Sequence, residues 1–399
     1  MKKNHPLSRK PQSNIHIFIA LFAIIILFFY SIKWSGNPDK PTVSTLPIQN
    51  QQQTSAPNPI ISQPVPVSPI TPQVTENPAS QLIPTDSQNK TGIPNVKFSV
   101  STPPVNAILI DPTGVLWAAH EKGLAKIKEG VLTLLTSDSR KFPAPNATSL
   151  AHDGTKLWIG TFFGLFSTED GRSFTNYSKA DGIIHEMIYS LLFDGKILWV
   201  GTQNGLSFKN PDGKFFELDK KISNGGLADL WIGSLNRSGS FVFCGNDDGL
   251  SIWDLGKMGS DPNSWATVDM FQTNLPHNWI LSQASFQNKQ WVGTPKGLAC
   301  LNTAPRELYT GNKAVWQVFN SSKGLPSDKI NCLSASKDTL WIGTNKGLAC
   351  LKNEKIRTFS EKDGLNSLNI RCIFVAPDST LWIGTDNGIQ AIDILHFQI

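Results

Sequence analysis

Residues able to do chemistry are few in this chain of 399 residues, and they are scattered. Two histidine–glutamate pairs occur, His120-Glu121 and His185-Glu186. Adjacent positions in a loop do not converge on one ion, and no H-E-x-x-H sequence accompanies them. The chain has no G-x-x-x-x-G-K-[ST] loop, no dinucleotide-binding glycine pattern and no G-x-S-x-G nucleophile turn. The five cysteines, Cys244, Cys300, Cys332, Cys350 and Cys372, sit inside apolar runs. Their odd number and wide spacing give neither a disulfide framework nor a zinc site, so they read as small buried apolar residues. No metal, cofactor or catalytic residue is expected. Two tryptophans with polar neighbours stand out instead: Trp231 after Asp229-Leu230, and Trp279 after His277-Asn278.

What positions these residues is a repeat. The segments VLWAAHEKGLAKI, KLWIGTFFGLFST, ILWVGTQNGLSFK, FVFCGNDDGLSIW, KQWVGTPKGLACL, TLWIGTNKGLACL and TLWIGTDNGIQAI succeed one another along the chain. The signature aromatic falls at Trp117, Trp158, Trp199, Phe243, Trp291, Trp341 and Trp382, a period of about 40–50 residues. Each unit divides into four short strands. In the sixth these are INCLSAS, TLWIGT, GLACLK and KIRTFS. A glycine closes the turn between the second and third strands in every unit, and a tight hairpin needs its positive φ. Such units predict an all-β fold, a seven-bladed β-propeller of four-stranded antiparallel blades. The seventh unit ends after its third strand. The segment Val96–Ser101 stands where an outer strand would precede the first inner strand. It is expected to complete the last blade and so hide a sheet edge.

The pattern D-x-x-G-x-L-W-I-G-T-x-x-G-L, with an outer strand ending in S-x-x-D-G-L, is clearest at Asp378–Ile389 and Ser360–Leu365. It resembles the two-component regulator propeller repeat family over about residues 97–399. The resemblance implies an extracytoplasmic sensor-like module that binds a ligand. No kinase or receiver pattern is read in the sequence, and a separate signalling protein is an expected partner for any output. Ser167–Phe174 (STEDGRSF) resembles the Asp-box turn of sialidase-like propellers, with Glu169 in the acid position. Sialidase chemistry would need an arginine cluster and a nucleophilic tyrosine at the channel mouth, and only Arg371 is expected on an inner strand.

In a propeller the outer-to-inner loops and the second-to-third turns converge on one channel mouth. That face receives Phe162, Phe163, His185, Glu186, Asp229, Trp231, Asp247, Asp248, His277, Asn278 and Trp279. Trp231 and Trp279 open inner strands of adjacent blades, where most other blades carry Val or Ile. Tryptophans beside carboxylate, imidazole and amide groups suit a saccharide or peptide. The alternative is that both rings fill space between blades.

Ahead of the repeats, Ile15–Ile32 is apolar and uncharged, long enough at ~1.5 Å per residue to cross a hydrocarbon core. The cations before it place the N-terminus in the cytoplasm and the chain after Trp34 outside. No small-residue cleavage site succeeds the apolar run, which reads as an uncleaved signal anchor. Residues 37–95 hold 12 of the 26 prolines and no aromatic residue, the composition of an extended, disordered tether. The expected organisation is a basic tail over 1–14, a transmembrane anchor over 15–34, a linker over 35–95 and the propeller over 96–399. The net charge of +5 belongs to the first 36 residues. A near-neutral propeller argues against nucleic acid as a partner. A binding module for a saccharide, peptide or envelope protein is the leading expectation. A glycan lyase or hydrolase and an envelope scaffold are the other two.

Overall fold

The computed structural model of the chain describes residues 96–137, 139–257, 264–310 and 313–394. The expected anchor over 15–34 and linker over 35–95 lie outside the described residues. Among the described residues no helix is long and apolar enough to cross a membrane.

Seven four-stranded antiparallel sheets form, each from strands consecutive in sequence, except at the closure. In the sixth unit the strands are Ile330–Ala335, Leu340–Thr344, Gly347–Lys352 and Lys355–Phe359, the four read from sequence. Blade 1 spans 105–136, blade 2 147–177, blade 3 188–218, blade 4 234–268, blade 5 282–319 and blade 6 330–359. Blade 7 takes 370–393 together with Val96–Val100. Second and third strands such as Leu157–Thr161 and Gly164–Thr168 are buried throughout. Neighbouring blades cover both of their faces, so their sequences are apolar without alternation. In the first three blades a carboxylate fixes the signature tryptophan. The indole Nε1 of Trp117, Trp158 and Trp199 donates to Asp111, Asp153 and Asp194 at 2.9, 2.7 and 2.8 Å.

The glycine of W-x-G-T marks the tightest contact in the ring. A Cβ on Gly160 would strike Ser149 Oγ on its own inner strand and lie 2.7 Å from Ile188 Cγ2 of blade 3. Gly201, Gly245, Gly293, Gly343 and Gly384 face the same kind of pair, a Ser or Cys beside a β-branched residue of the next blade. Blade 1 has Ala119 in this slot. Its partner across the strands is Ala107, and the facing residue of blade 2 is Ala147. The extra methyl is matched by two trimmed neighbours.

Hydrogen bonds run from blade to blade around this inner ring. Asn106 donates to the Ala147 carbonyl (2.8 Å), Thr148 to Ile188 (2.8 Å), Ser190 to Ile232 (3.1 Å) and Ser234 to Ile280 (3.1 Å). Asn331 donates to Ile370 (2.9 Å), and the Cys372 thiol reaches the Val105 carbonyl at 3.8 Å. At the junction of blades 5 and 6 the corresponding hydroxyl, Ser282, is buried without a partner. All five cysteines are buried and unbridged, as their apolar context predicts.

The closure has the expected topology. Val96–Val100 pairs antiparallel with Gly388–Asp393, matching Val96 to Ile392 and Val100 to Ile389. Lys97 adds an ion pair to Asp393 at 3.2 Å. Across the same seam, Arg371 of blade 7 donates to Asn106 of blade 1 (2.6 Å) and lies 3.5 Å from Glu121.

The Asp-box-like turn differs from the expectation. Asp170, not Glu169, accepts from the backbone N–H groups of Arg172 and Ser173 at 2.7 and 2.8 Å. These bonds hold its carboxyl down at about 2. Glu169 points outward to Lys156. The acid that closes the turn is thus one residue later than the motif suggests.

Gly160→Ala should destabilise the ring by about 1–3 kcal/mol, the usual range for overpacking. Adding Ser149→Ala should recover part of the loss, as blade 1 does with Ala107 and Ala119. A denaturation double-mutant cycle measures this. Strict additivity of the two changes would refute the contact as the cause.

Candidate functional site

The second-to-third turns at the mouth are held by one recurring clamp. The hydroxyls of Thr161, Thr202, Thr294, Thr344 and Thr385 each donate to the carbonyl of the turn glycine. Each also accepts a backbone N–H of its own turn. In blade 1 His120 takes this slot, and its Nδ1 accepts the Lys122 N–H at 3.0 Å. In blade 4 Asn246 accepts the Asp248 N–H at 3.1 Å. His120 is fully buried, and burial pushes its pKa down to about 4. The His120-Glu121 pair is therefore a turn element.

A second clamp precedes the inner strands. His185 Nδ1 accepts the Met187 N–H (3.1 Å), Asp229 the Trp231 N–H (2.8 Å) and His277 Nδ1 the Trp279 N–H (2.9 Å). Ser327 and Ser367 do the same in blades 6 and 7. Buried Asn278 accepts the Met270 N–H at 2.6 Å, which ties its loop together. Glu186 lies 4.0 Å from Lys179. Four polar residues singled out from sequence, His185, Asp229, His277 and Asn278, thus shape the loops that carry the aromatic rings.

Those rings form one continuous run over blades 2 to 5. Phe162 meets Tyr189 at 5.5 Å between centroids, Tyr189 meets Trp231 at 5.2 Å, and Trp231 meets Trp279 at 5.6 Å. The two tryptophans stand side by side, as their spacing implies. They lie in the loops before the strands Ser234–Ser238 and Ser282–Phe286, not on the strands themselves. The tight glycine contacts align Ile188, Ile232, Ile280, Ile330 and Ile370 as one slot. The positions just before it are Met187, Trp231, Trp279, Lys329 and Asn369. The expected Val or Ile at the tryptophan position belongs to the next residue, a register slip of one. Trp279 is 39% exposed and Phe163 56% exposed, while Trp231 is half-buried between its neighbours. Tyr189 is a mouth residue that the sequence pattern does not single out. It comes directly after the slot isoleucine, so strand alternation turns it away from the blade interior.

Beside Trp231 sits a pair of carboxylates. Burial and the adjoining Asp229 carboxyl raise Asp247 to about 7. Asp248 is raised for the same reasons. One Asp247 oxygen and the Trp231 indole N–H are both out of solvent without a partner. The rim over blades 6, 7 and 1 is different, because its polar groups satisfy one another. Asn331 donates to Asn369 (3.0 Å), Asn369 to Asp386 (2.7 Å) and Arg371 to Asp386 (3.0 Å). A cavity of about 530 Å³ lined by Ser336, Asp338, Trp341 and Pro377 lies at the opposite end of the blades and includes none of these residues. Among the described residues no cluster of His, Cys, Asp and Glu could hold a metal ion.

The family described as "Two component regulator propeller" matches residues 364–387, so the chain carries a repeat of that type. Two solved structures from B. thetaiotaomicron resemble it. One, described as the extracellular domain of the hybrid two component system BT3049, has a TM-score of 0.60 and 24% identity over 73% of this chain and 40% of its own. The other, described as the extracellular domain of the one component system BT4673, has a TM-score of 0.59 and 19% identity over 76% and 40%. PorZ of Porphyromonas gingivalis, described as a surface component of the type-IX secretion system, has a TM-score of 0.57 and 15% identity over 74% and 47%. The chain spans less than half the length of each. At these identities the likeness establishes the fold. No curated protein matches the chain in sequence.

Asp247 makes stability depend on pH. A folded pKa of about 7 above the ordinary 3.8 means that the folded state binds the extra proton. Stability from this group is therefore full below about pH 4 and is lost as pH rises through 7. Asp247→Asn should raise the melting temperature relative to the parent at pH ~8, and the advantage should vanish near pH ~4. An advantage of the same size at both values would refute the assignment.

Proposed function

We propose that this protein is a membrane-tethered, extracytoplasmic propeller that binds a ligand or partner at the channel mouth without chemistry, as a sensor-like module. The observation that carries this reading is the aromatic run Phe162–Tyr189–Trp231–Trp279, held by clamped loops and exposed at one end. Its rings offer stacking faces. Phe163, Asp247 and Asp248 complete the contact surface, and His185, Glu186, Asp229, His277 and Asn278 support it. The ligand class that fits is a saccharide or peptide, free or on an envelope protein. The likeness to domains described as extracellular supports the location. In this reading residues 15–34 form the anchor and 35–95 the spacer. One observation favours a glycan hydrolase or lyase as second reading. A carboxyl near 7 beside another carboxylate is what a general acid requires.

Two measurements test the proposal. Alkaline phosphatase fused after residue 95 should be active and β-galactosidase inactive, and the opposite pattern would overturn the topology. Glycan and peptide arrays probed with the parent and with Trp231→Ala and Trp279→Ala should give binders that both changes weaken. A loss of about 1–3 kcal/mol per ring is expected, by analogy with base stacking. Trp279→Ala should cost well under about 1 kcal/mol of stability. Trp231→Ala should cost more, but less than the ~3–5 kcal/mol of a core tryptophan. Binders indifferent to both substitutions would refute the mouth as the site. Turnover of a bound glycan, lost in Asp247→Asn with binding kept, would favour the second reading.

A further inference from the structure

The mouth face is divided. Among the described residues, eight large apolar side chains are exposed. Four of them, Phe163, Ile222, Phe271 and Trp279, lie on this face, all within blades 2 to 5 or the loops joining them. Blades 6, 7 and 1 contribute none of the eight to this face.

Two of the four are built to protrude. Asp219 accepts the Ile222 N–H at 2.7 Å. Asp269 accepts the N–H groups of Phe271 and Gln272 at 2.8 and 2.9 Å, and Thr273 closes the same loop onto the Asp269 carbonyl at 2.6 Å. Both loops are therefore capped at their start, and each carries an apolar tip into water, Ile222 55% and Phe271 83% exposed. Neither tip serves the packing of its own blade. Apolar tips held out into water on capped loops mark an interaction site.

The charge around it selects the occupant. Between 219 and 296 the connections on this face hold five carboxyl groups, Asp219, Asp229, Asp247, Asp248 and Asp269, against three lysines, and with Asp247 protonated four carboxylates still outnumber them. Lys220 is the one of these lysines that pairs with a carboxylate of the group, Asp229, at 3.8 Å. The excess is acidic, and it surrounds aromatic faces that attract cations. An isoleucine tip has no flat face on which a sugar ring could stack. It suits the apolar side chains of a polypeptide.

We infer that the half of the mouth face over blades 2 to 5 docks a polypeptide segment of a partner protein in which lysine or arginine alternates with apolar residues. The apolar residues seat on Ile222, Phe271 and Trp279, and the cations meet Asp248 and Asp269. This rests on the mouth face being the binding surface, and it narrows the occupant to one class.

The test uses the full-length protein in detergent and two fluorescein-labelled peptides, one alternating lysine with leucine and one alternating glutamate with leucine. Anisotropy at ~0.15 M salt reads the affinity. The lysine peptide should bind, and the glutamate peptide should bind at least about tenfold more weakly. The double change Ile222→Ser/Phe271→Ser should weaken the lysine peptide about tenfold. Asp248→Asn should weaken it severalfold, while Asp386→Asn on the other half should leave it unchanged. The replaced side chains are on the surface, so folding is expected to survive, and a melting curve verifies it. Equal binding of the two peptides, indifference to Ile222→Ser/Phe271→Ser, or equal losses from Asp248→Asn and Asp386→Asn would each overturn the inference. Self-association abolished by Ile222→Ser/Phe271→Ser would overturn it in favour of a second copy. Array binders that need Trp231 and Trp279, with no binding of the lysine peptide, would leave the mouth as the site and remove only this occupant. Loss of both would remove both.

Discussion

Everything in this ring depends on how closely one blade approaches the next at the inner strands. The approach is so close that one position of each second strand has room for a methyl group at most. Six blades meet the requirement with glycine. The first meets it with three alanines, Ala107, Ala119 and Ala147. Close packing then brings side-chain donors within reach of carbonyls in the next blade, and six junctions are bonded in this way. These bonds lie among apolar neighbours, where an unmade one is costly. The seven-fold arrangement is thus a packing solution before it is a binding surface.

That surface inherits its geometry from the same slot. Residues on either side of the slot isoleucine are the ones brought to the mouth, so their chemistry is free to differ while the ring stays fixed. Blades 3 to 5 place Tyr189, Trp231 and Trp279 there. Blades 6, 7 and 1 place Asn331, Asn369, Arg371 and Asn106. The first group stacks and leaves polar atoms unmatched beside it. The second is internally paired, and Arg371 spends its donors on closing the seam between blades 7 and 1. A cation that looks available in sequence is committed in the fold.

Much of the architecture was legible in the residues. Glycine at a tight corner and the W-x-G-T run recur because local geometry requires them, so strand order, blade number and the closing strand Val96–Val100 could all be read. The mouth was legible in part. Trp231 and Trp279 stand out in the sequence, but with a register off by one residue, because sequence shows spacing and not which carbonyl a strand begins on. Tyr189 looks like an ordinary strand aromatic until its neighbours from blades 2 and 4 are in place. The Arg371–Asn106 contact joins residues 265 positions apart, and no local pattern carries that information. Glu169 and Asp170 are equally good acids on paper. Only the direction of the turn's N–H groups chooses between them.

The closing strand has a mechanical consequence. It is the point where the chain enters the ring, and it is also the joint that keeps the ring shut. Tension carried by the chain before Val96 reaches the propeller first through the ladder that pairs Val96, Phe98, Ser99 and Val100 with the last blade. The Lys97–Asp393 ion pair bears on the same few residues. A pull on the N-terminal side is therefore a pull on the clasp, in the blade whose strands come from both ends of the repeat region.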